Sequence, residues 1–261
     1  DMETKALTKV VKVMNFQALL KVDKARRVAN ELMNVSEELT SIMTRIMYNK
    51  NLILDKNILI PDPSKPKLSI YIASDYGFCG NFNDMILKQI LEDKDCYKII
   101  IGKQIKYRDD KVILAMDKKS FYDRFGDIEK IIKEAILNLS YSEINVYYNH
   151  YYNSTTFDFM GKKVFPAPFE GDYYEGEDFV IETDISKMLS NMMAFYICYE
   201  LQMYEKNSFA SENIKRSIIT RLSLDRLKEI EEENRVNELK EIREKSVLKT
   251  VENYKKSMYK N

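Results

Sequence analysis

Tryptophan is absent from this chain, histidine occurs once, and 261 residues contain only 7 glycines and 5 prolines. Few breakers mean few turns and long elements. The single histidine, His150, lies in a tyrosine-rich, strand-like stretch and reads as a strand residue. With no second histidine there is no Ser-His-Asp or Cys-His arrangement, and no His/Cys/carboxylate cluster has metal-ligand spacing. Cys79, Cys96 and Cys198 are odd in number, scattered and without CxxC spacing. That excludes a disulfide framework or zinc site and suits a reducing compartment. No apolar run approaches the roughly 20 residues of a membrane-crossing helix; the longest, Met192–Tyr199, is far too short. The first residues lack the charged-then-apolar pattern of a secretory leader. Charge of one sign is also missing: Lys plus Arg and Asp plus Glu are 41 each, so nothing draws the chain as a whole to nucleic acid or an anionic membrane.

What is abundant is charge of both signs, 31% of residues, on a helical period. Leu7, Val11, Met14, Ala18, Val22, Ala25, Val28, Leu32, Val35, Leu39, Ile42 and Ile46 recur at steps of three or four, with no Gly or Pro before Pro61. This is a narrow apolar stripe on one long helix, and such a helix needs a partner. From about Asp184 onward Gly and Pro are again absent. A second stripe runs through Ile214, Ile218, Leu222, Leu227, Ile230, Val236, Leu239, Ile242, Val247, Val251, Tyr254 and Met258. The two ends are expected to pair as an antiparallel coiled coil. The stripe thins between Glu229 and Glu244, which reads either as a solvated face or as a patch contacting another subunit.

Between the ends the period changes. Lys67–Ala73, Tyr97–Ile101, Val112–Ala115, Ile144–Tyr152 and Thr156–Val164 read as strands; Phe82–Glu92 and Gly126–Leu139 read as helices. Strand–helix alternation predicts an inserted, Rossmann-like open α/β domain. The expected organisation is therefore residues 1–60 as the N-terminal helix, 61–183 as the α/β foot and 184–261 as the C-terminal helix.

The turn Ser74–Asn81 (SDYGFCGN) follows a strand and opens a helix, where phosphates bind in nucleotide folds. It lacks the GxGxxG spacing, and GxxxxGK[ST] occurs nowhere. The structural reading is a tight turn made by Gly77 and Gly80, with Asp75 accepting backbone N–H groups. Cys79 is either a reactive thiol near a helix N-terminus or a small buried residue. No catalytic, cofactor-binding or metal-binding residue is identified.

Four segments, in order, carry a family resemblance: Asn15-Phe16-Gln17 with Lys21; the turn from Ser74 to Asn83, with Asp75, Gly77, Cys79, Gly80 and Asn83; Ala210-Ser211-Glu212 with Arg216; and Arg243 with Ser246-Val247. The chain resembles the gamma subunits of F-type ATP synthases, the central shafts of rotary motors. The resemblance implies paired helices inside a ring of three α and three β subunits that do the ATP chemistry, with gamma itself non-catalytic. It implies a foot meeting an epsilon-like subunit and a membrane ring, and hence a peripheral position on the cytoplasmic face of the cell membrane. Asn15, Gln17, Lys21, Arg243, Glu244 and Ser246 are implied as subunit contacts, Arg243 through a bidentate guanidinium.

Glu244 stands where the family usually has Gln, and Asp23, near a usually apolar position, is expected to face solvent or a cation. The tail Lys249–Asn261 is charged where the family is apolar. These departures suggest a diverged paralogue, such as one from a wall-less bacterium. The alternatives are a gamma-like shaft of a specialised ATPase without a proton ring, or a non-motor coiled-coil adaptor.

Overall fold

The computed structural model describes residues 2–48, 59–167 and 184–258. Helices α1 (Met2–Met47) and α5 (Ile185–Met258) come from the two ends of the chain. Between them lie β1 (Lys67–Ile72), α2 (Asp84–Glu92), β2 (Tyr97–Ile101), β3 (Val112–Met116), α3 (Lys118–Asp123), α4 (Phe125–Leu137), β4 (Glu143–Asn153) and β5 (Thr156–Phe165). Residues 49–58, in the last part of the expected N-terminal helix, 168–183, at the end of the expected foot, and 259–261 lie outside the described residues.

The strands form one sheet in the order β3-β2-β1-β4-β5. The first four are parallel, and β5 returns antiparallel to β4. Side chains alternate across the sheet. From β1, Leu68, Ile70 and Ile72 join Ile99, Ile101, Ile144 and Val146 on one face, where α4 contributes Ile128, Ile132 and Ile136. The same cluster takes in Met43 and Ile46 of α1 and Leu189, Met193, Ile197 and Leu201 of α5, so both terminal helices share this core. The other face packs Tyr71, Ala73 and Ile100 against Ile86 and Ile90 of α2. Each fully buried aliphatic side chain contributes about 1.5–3 kcal/mol.

Short helix α3 was not expected from sequence. Asp117 caps it, accepting from Ser120 N at 2.7 Å. On the α2 side of the sheet the rings of Tyr71 and Tyr147 stack at 5.5 Å, and those of Tyr147 and Phe159 at 6.0 Å. Gly161 on β5 makes room for this ladder, since a Cβ there would sit 2.8 Å from the Tyr147 ring.

Contacts divide the chain into two compact units, Ala18–Arg216 and Asp1–Gln17 with Ser217–Asn261. In the larger unit α1 and α5 are antiparallel: Ser36 Oγ donates to Glu200, and Arg26 and Asn30 lie beside Lys206 and Ala210. Ala18, Ala25 and Ala29 on α1 and Ser208, Ala210 and Ser211 on α5 are small and buried.

In the smaller unit Asn15 Nδ2 donates to Ser217 O at 2.9 Å and to Thr220 Oγ1 at 2.9 Å. With Asn15 opposite these residues and α1 beginning at Met2, the far end of α5 has no helix alongside it among the described residues. Every residue from 232 to 258 is exposed. The expected pairing of the whole C-terminal stripe therefore needs correction. Val236, Leu239, Ile242, Val247, Val251, Tyr254 and Met258 are apolar at helical spacing, but α1 does not bury them. Asp23 is exposed.

Candidate functional site

Sequence position explains how the turn after β1 is built. Ser74 N donates to Asn83 Oδ1 at 3.0 Å and Asn83 Nδ2 donates to Ser74 Oγ at 2.8 Å, so the first and last polar residues of the turn clasp each other. Asp75 Oδ1 accepts from Lys103 N at 2.8 Å, and Asp75 Oδ2 accepts from Lys118 N at 3.0 Å. One carboxylate thereby ties the ends of β1, β2 and β3 together. Gly80 has φ 53, a left-handed conformation suited to glycine. Gly77 does not adopt a positive φ, and nothing lies within 4 Å of where its Cβ would be; the residue that does is Phe78, with φ 58. Of the two glycines expected to shape the turn, only Gly80 is required by its backbone.

Cys79 is buried, its Sγ donating to Tyr76 O. Burial, with a further contribution from Glu212, pushes the thiol up to about 11, so it is protonated at neutral pH and not a nucleophile.

The turn meets both terminal helices at Tyr76. Glu212 Oε1 of α5 accepts from Tyr76 N at 3.2 Å. Lys21 of α1 stands over the Tyr76 ring with Nζ 4.9 Å from the centroid, and the guanidinium carbon of Arg216 of α5 lies 4.7 Å from it. The phenol ring thus lies against two cations from opposite chain ends. Three of the four segments singled out from sequence, those with Lys21, the Ser74–Asn83 turn, and Glu212 with Arg216, converge on one residue. Tyr76 itself was not singled out; its position inside the turn motif was the available signal.

Behind Tyr76 lies a buried charge cluster. Lys118 Nζ donates to Glu212 Oε2 at 3.0 Å and lies 3.8 Å from Glu205 Oε1. Burial works against the Lys118 charge, but Glu212 and Glu205 outweigh it and hold the ammonium above its ordinary value. Burial raises Glu205, whose other oxygen accepts from Tyr122. Ser211 Oγ donates to Asn149 O at 3.1 Å, and Asn149 Nδ2 donates to Phe82 O at 2.9 Å, fastening α5 to β4 and β4 to the turn. Lys118 and Glu205 carry no recognisable motif and were missed.

The remaining residues do not join this site. Gln17 is exposed, and Asn15 spends its amide protons on α5. Arg243, Glu244 and Ser246 are exposed on the free stretch of α5. Among the described residues no His, Cys, Asp or Glu group could hold a metal ion, and no helix is long and apolar enough to cross a membrane.

A family model described as ATP synthase matches residues 2–236. The ATP synthase gamma chain of Clostridium novyi is 30% identical over 224 residues, covering 80% of this chain and 77% of that one. The ATP synthase gamma chain of Mycoplasma mycoides is 25% identical over 209 residues, covering 75% and 73%. Among solved structures, a chain of the central stalk and c-ring of the Tetrahymena thermophila mitochondrial ATP synthase superposes with a TM-score of 0.59 at 15% identity, covering 82% of this chain and 99% of that one. A rotor chain of the Euglena gracilis mitochondrial ATP synthase superposes with a TM-score of 0.54 at 14% identity, covering 88% and 91%. The structural likeness shows a shared fold.

Proposed function

We propose, because the chain belongs to the ATP synthase gamma family, that it is the central-stalk subunit of a rotary F-type ATPase. It carries no catalysis of its own and couples ATP turnover in a ring of three α and three β subunits to rotation. The observation that carries this reading is a pair of terminal helices, antiparallel where they meet, with a five-stranded α/β sheet inserted between them in the chain. Convergence of three motif segments on Tyr76 supports it, since the residues that mark the family hold turn and helices together.

Arg243, Glu244 and Ser246 are exposed on a stretch of α5 that also exposes Val236, Leu239 and Ile242, a mixture suited to a surrounding protein collar. We assign these residues, with Asn15, Gln17 and Lys21, to contacts with ring subunits. The foot would meet an epsilon-like subunit and a membrane ring. The chain would then be a peripheral part of a membrane-bound complex, on its cytoplasmic face.

A second reading, a gamma-like shaft of an ATPase lacking a proton ring, is favoured by the charged segment from Lys249 onward, exposed through Met258. Purification of the native complex tests the main reading. Recovery of α-like and β-like subunits in threefold excess over this chain, with ATPase activity absent from the isolated chain, is expected. A one-to-one complex without ATPase activity would overturn it in favour of an adaptor. Proton pumping by the complex in sealed vesicles separates the first reading from the second.

A further inference from the structure

A cavity of about 260 Å³ within the larger unit lies where α1, the end of β4 and α5 come together, away from the Tyr76 turn. Its lining includes Arg26 and Asn30 of α1, His150 of β4, and Lys206 and Asn207 of α5. We propose that this cavity is a binding site for a small phosphate-class polyanion of the size of pyrophosphate.

The argument rests on the sign and kind of the groups around it. Arg26 and Lys206 carry positive charge, the His150 imidazole and the Asn30 and Asn207 amides can offer N–H donors, and no carboxylate lines the cavity. The carboxylates nearby stand outside the lining. Glu205, next to Lys206 in sequence, is wholly buried, accepts from Tyr122 and lies 4.0 Å from the Lys206 ammonium, which itself donates to the Tyr122 hydroxyl at 2.8 Å. Asp158, opposite His150 in the β4–β5 ladder, is exposed and outside the lining.

The Arg26 guanidinium carbon lies 5.1 Å from the centre of the Tyr151 ring, and a guanidinium can grip a planar or tetrahedral oxyanion bidentately. Burial lowers the Lys206 ammonium. Glu205 opposes that, while Lys118 and Lys24 repel it further, so an anion seated beside it would favour its charged form. The volume falls just below the range of drug-sized pockets and so suits a compact ligand. The inference is independent of the stalk assignment, because it concerns a cavity with no part in the contacts assigned to the ring.

The test is isothermal titration of the full-length chain with pyrophosphate at fixed ionic strength, using chloride as the control anion. One saturable site per chain is expected for pyrophosphate and none for chloride. Arg26→Gln should weaken binding about tenfold or more, the loss expected for one charge-assisted contact. Asn30→Asp, at an exposed helical position where folding is not at stake, adds a carboxylate to the lining and should abolish binding. Lys103→Gln, elsewhere on the sheet domain, should bind as the parent does. Absence of saturable binding by the parent chain, or equal affinity in Arg26→Gln and Asn30→Asp with unchanged circular dichroism, overturns the proposal.

Discussion

Lys118 Nζ donates to Glu212 Oε2 across 3.0 Å with almost no solvent reaching either side chain. One partner sits at the start of α3 and the other on α5, so this ion pair ties the sheet domain to the C-terminal helix. Removing one member of a buried pair strands the other charge, at a cost of about 3–5 kcal/mol. Lys118→Ala should lose stability on that scale in denaturant titration of the full chain. Lys118→Met combined with Glu212→Gln should recover a large part of the loss. A single-variant loss below about 1 kcal/mol would mean that water has access to the pair.

Gly102 has φ +120, and a Cβ built on it would stand 2.7 Å from the carbonyl carbon and oxygen of Ala73. Both neighbours are backbone atoms, and Gly102 N also donates to Met116 O at 2.8 Å, so the turn has little room to shift. Gly102→Ala should cost about 2 kcal/mol or more. Gly126→Ala, inside α4 with nothing within 4 Å, should be neutral or stabilise by up to about 1 kcal/mol. Equal unfolding midpoints for the two variants would contradict the steric account.

His150 is the sole histidine, so its imidazole resonance can be followed without assignment. Burial, and after it Lys162, holds the group below its ordinary value of 6.5. The unfolded chain therefore takes up its proton at a higher pH than the folded one. The resulting stability is complete above 6.5 and is lost as pH falls through the interval beneath that value. Titration by proton NMR should give a midpoint below 6.5, and Lys162→Gln should raise it. A midpoint at or above 6.5 would contradict the burial argument.

Arg243 is exposed on α5. Arg243→Ala should leave the unfolding midpoint of the isolated chain unchanged within about 0.5 kcal/mol. In the assembled complex it should alter the ATPase rate or its coupling to rotation. An unaltered rate and coupling would remove this guanidinium from the transmission contact.

The sequence was most readable where one local rule dominated. The apolar period of α1 and the β-branched runs Lys67–Ile72 and Tyr97–Ile101 announced themselves because burial on one face sets the spacing. Helix α3 was not legible: six residues carry too little periodicity, and the cap formed by Asp117 and Ser120 is a single weak cue. The stripe on α5 was legible as a helix, but its partner was not. The same spacing that buries Ile214 leaves Leu239 half exposed, because periodicity records that a face is apolar and not what covers it. At the Tyr76 site, the residues of the turn and of Ala210-Ser211-Glu212 stood out, but Lys118 lies 94 positions from Glu212 and only the fold brings them together.

The stacked rings of Tyr71, Tyr147 and Phe159 also bear on spectroscopy. With no tryptophan to mask them, 18 tyrosines supply the intrinsic ultraviolet signal of the chain. Burial pushes Tyr147 up to about 12, and Tyr71, Tyr148, Tyr196 and Tyr204 are raised further still. In an alkaline difference spectrum the surface phenols will ionise as a first wave. The sequestered set will follow at higher pH, and sooner if the sheet and its covering helices open, which makes base titration an optical gauge of how long the core survives.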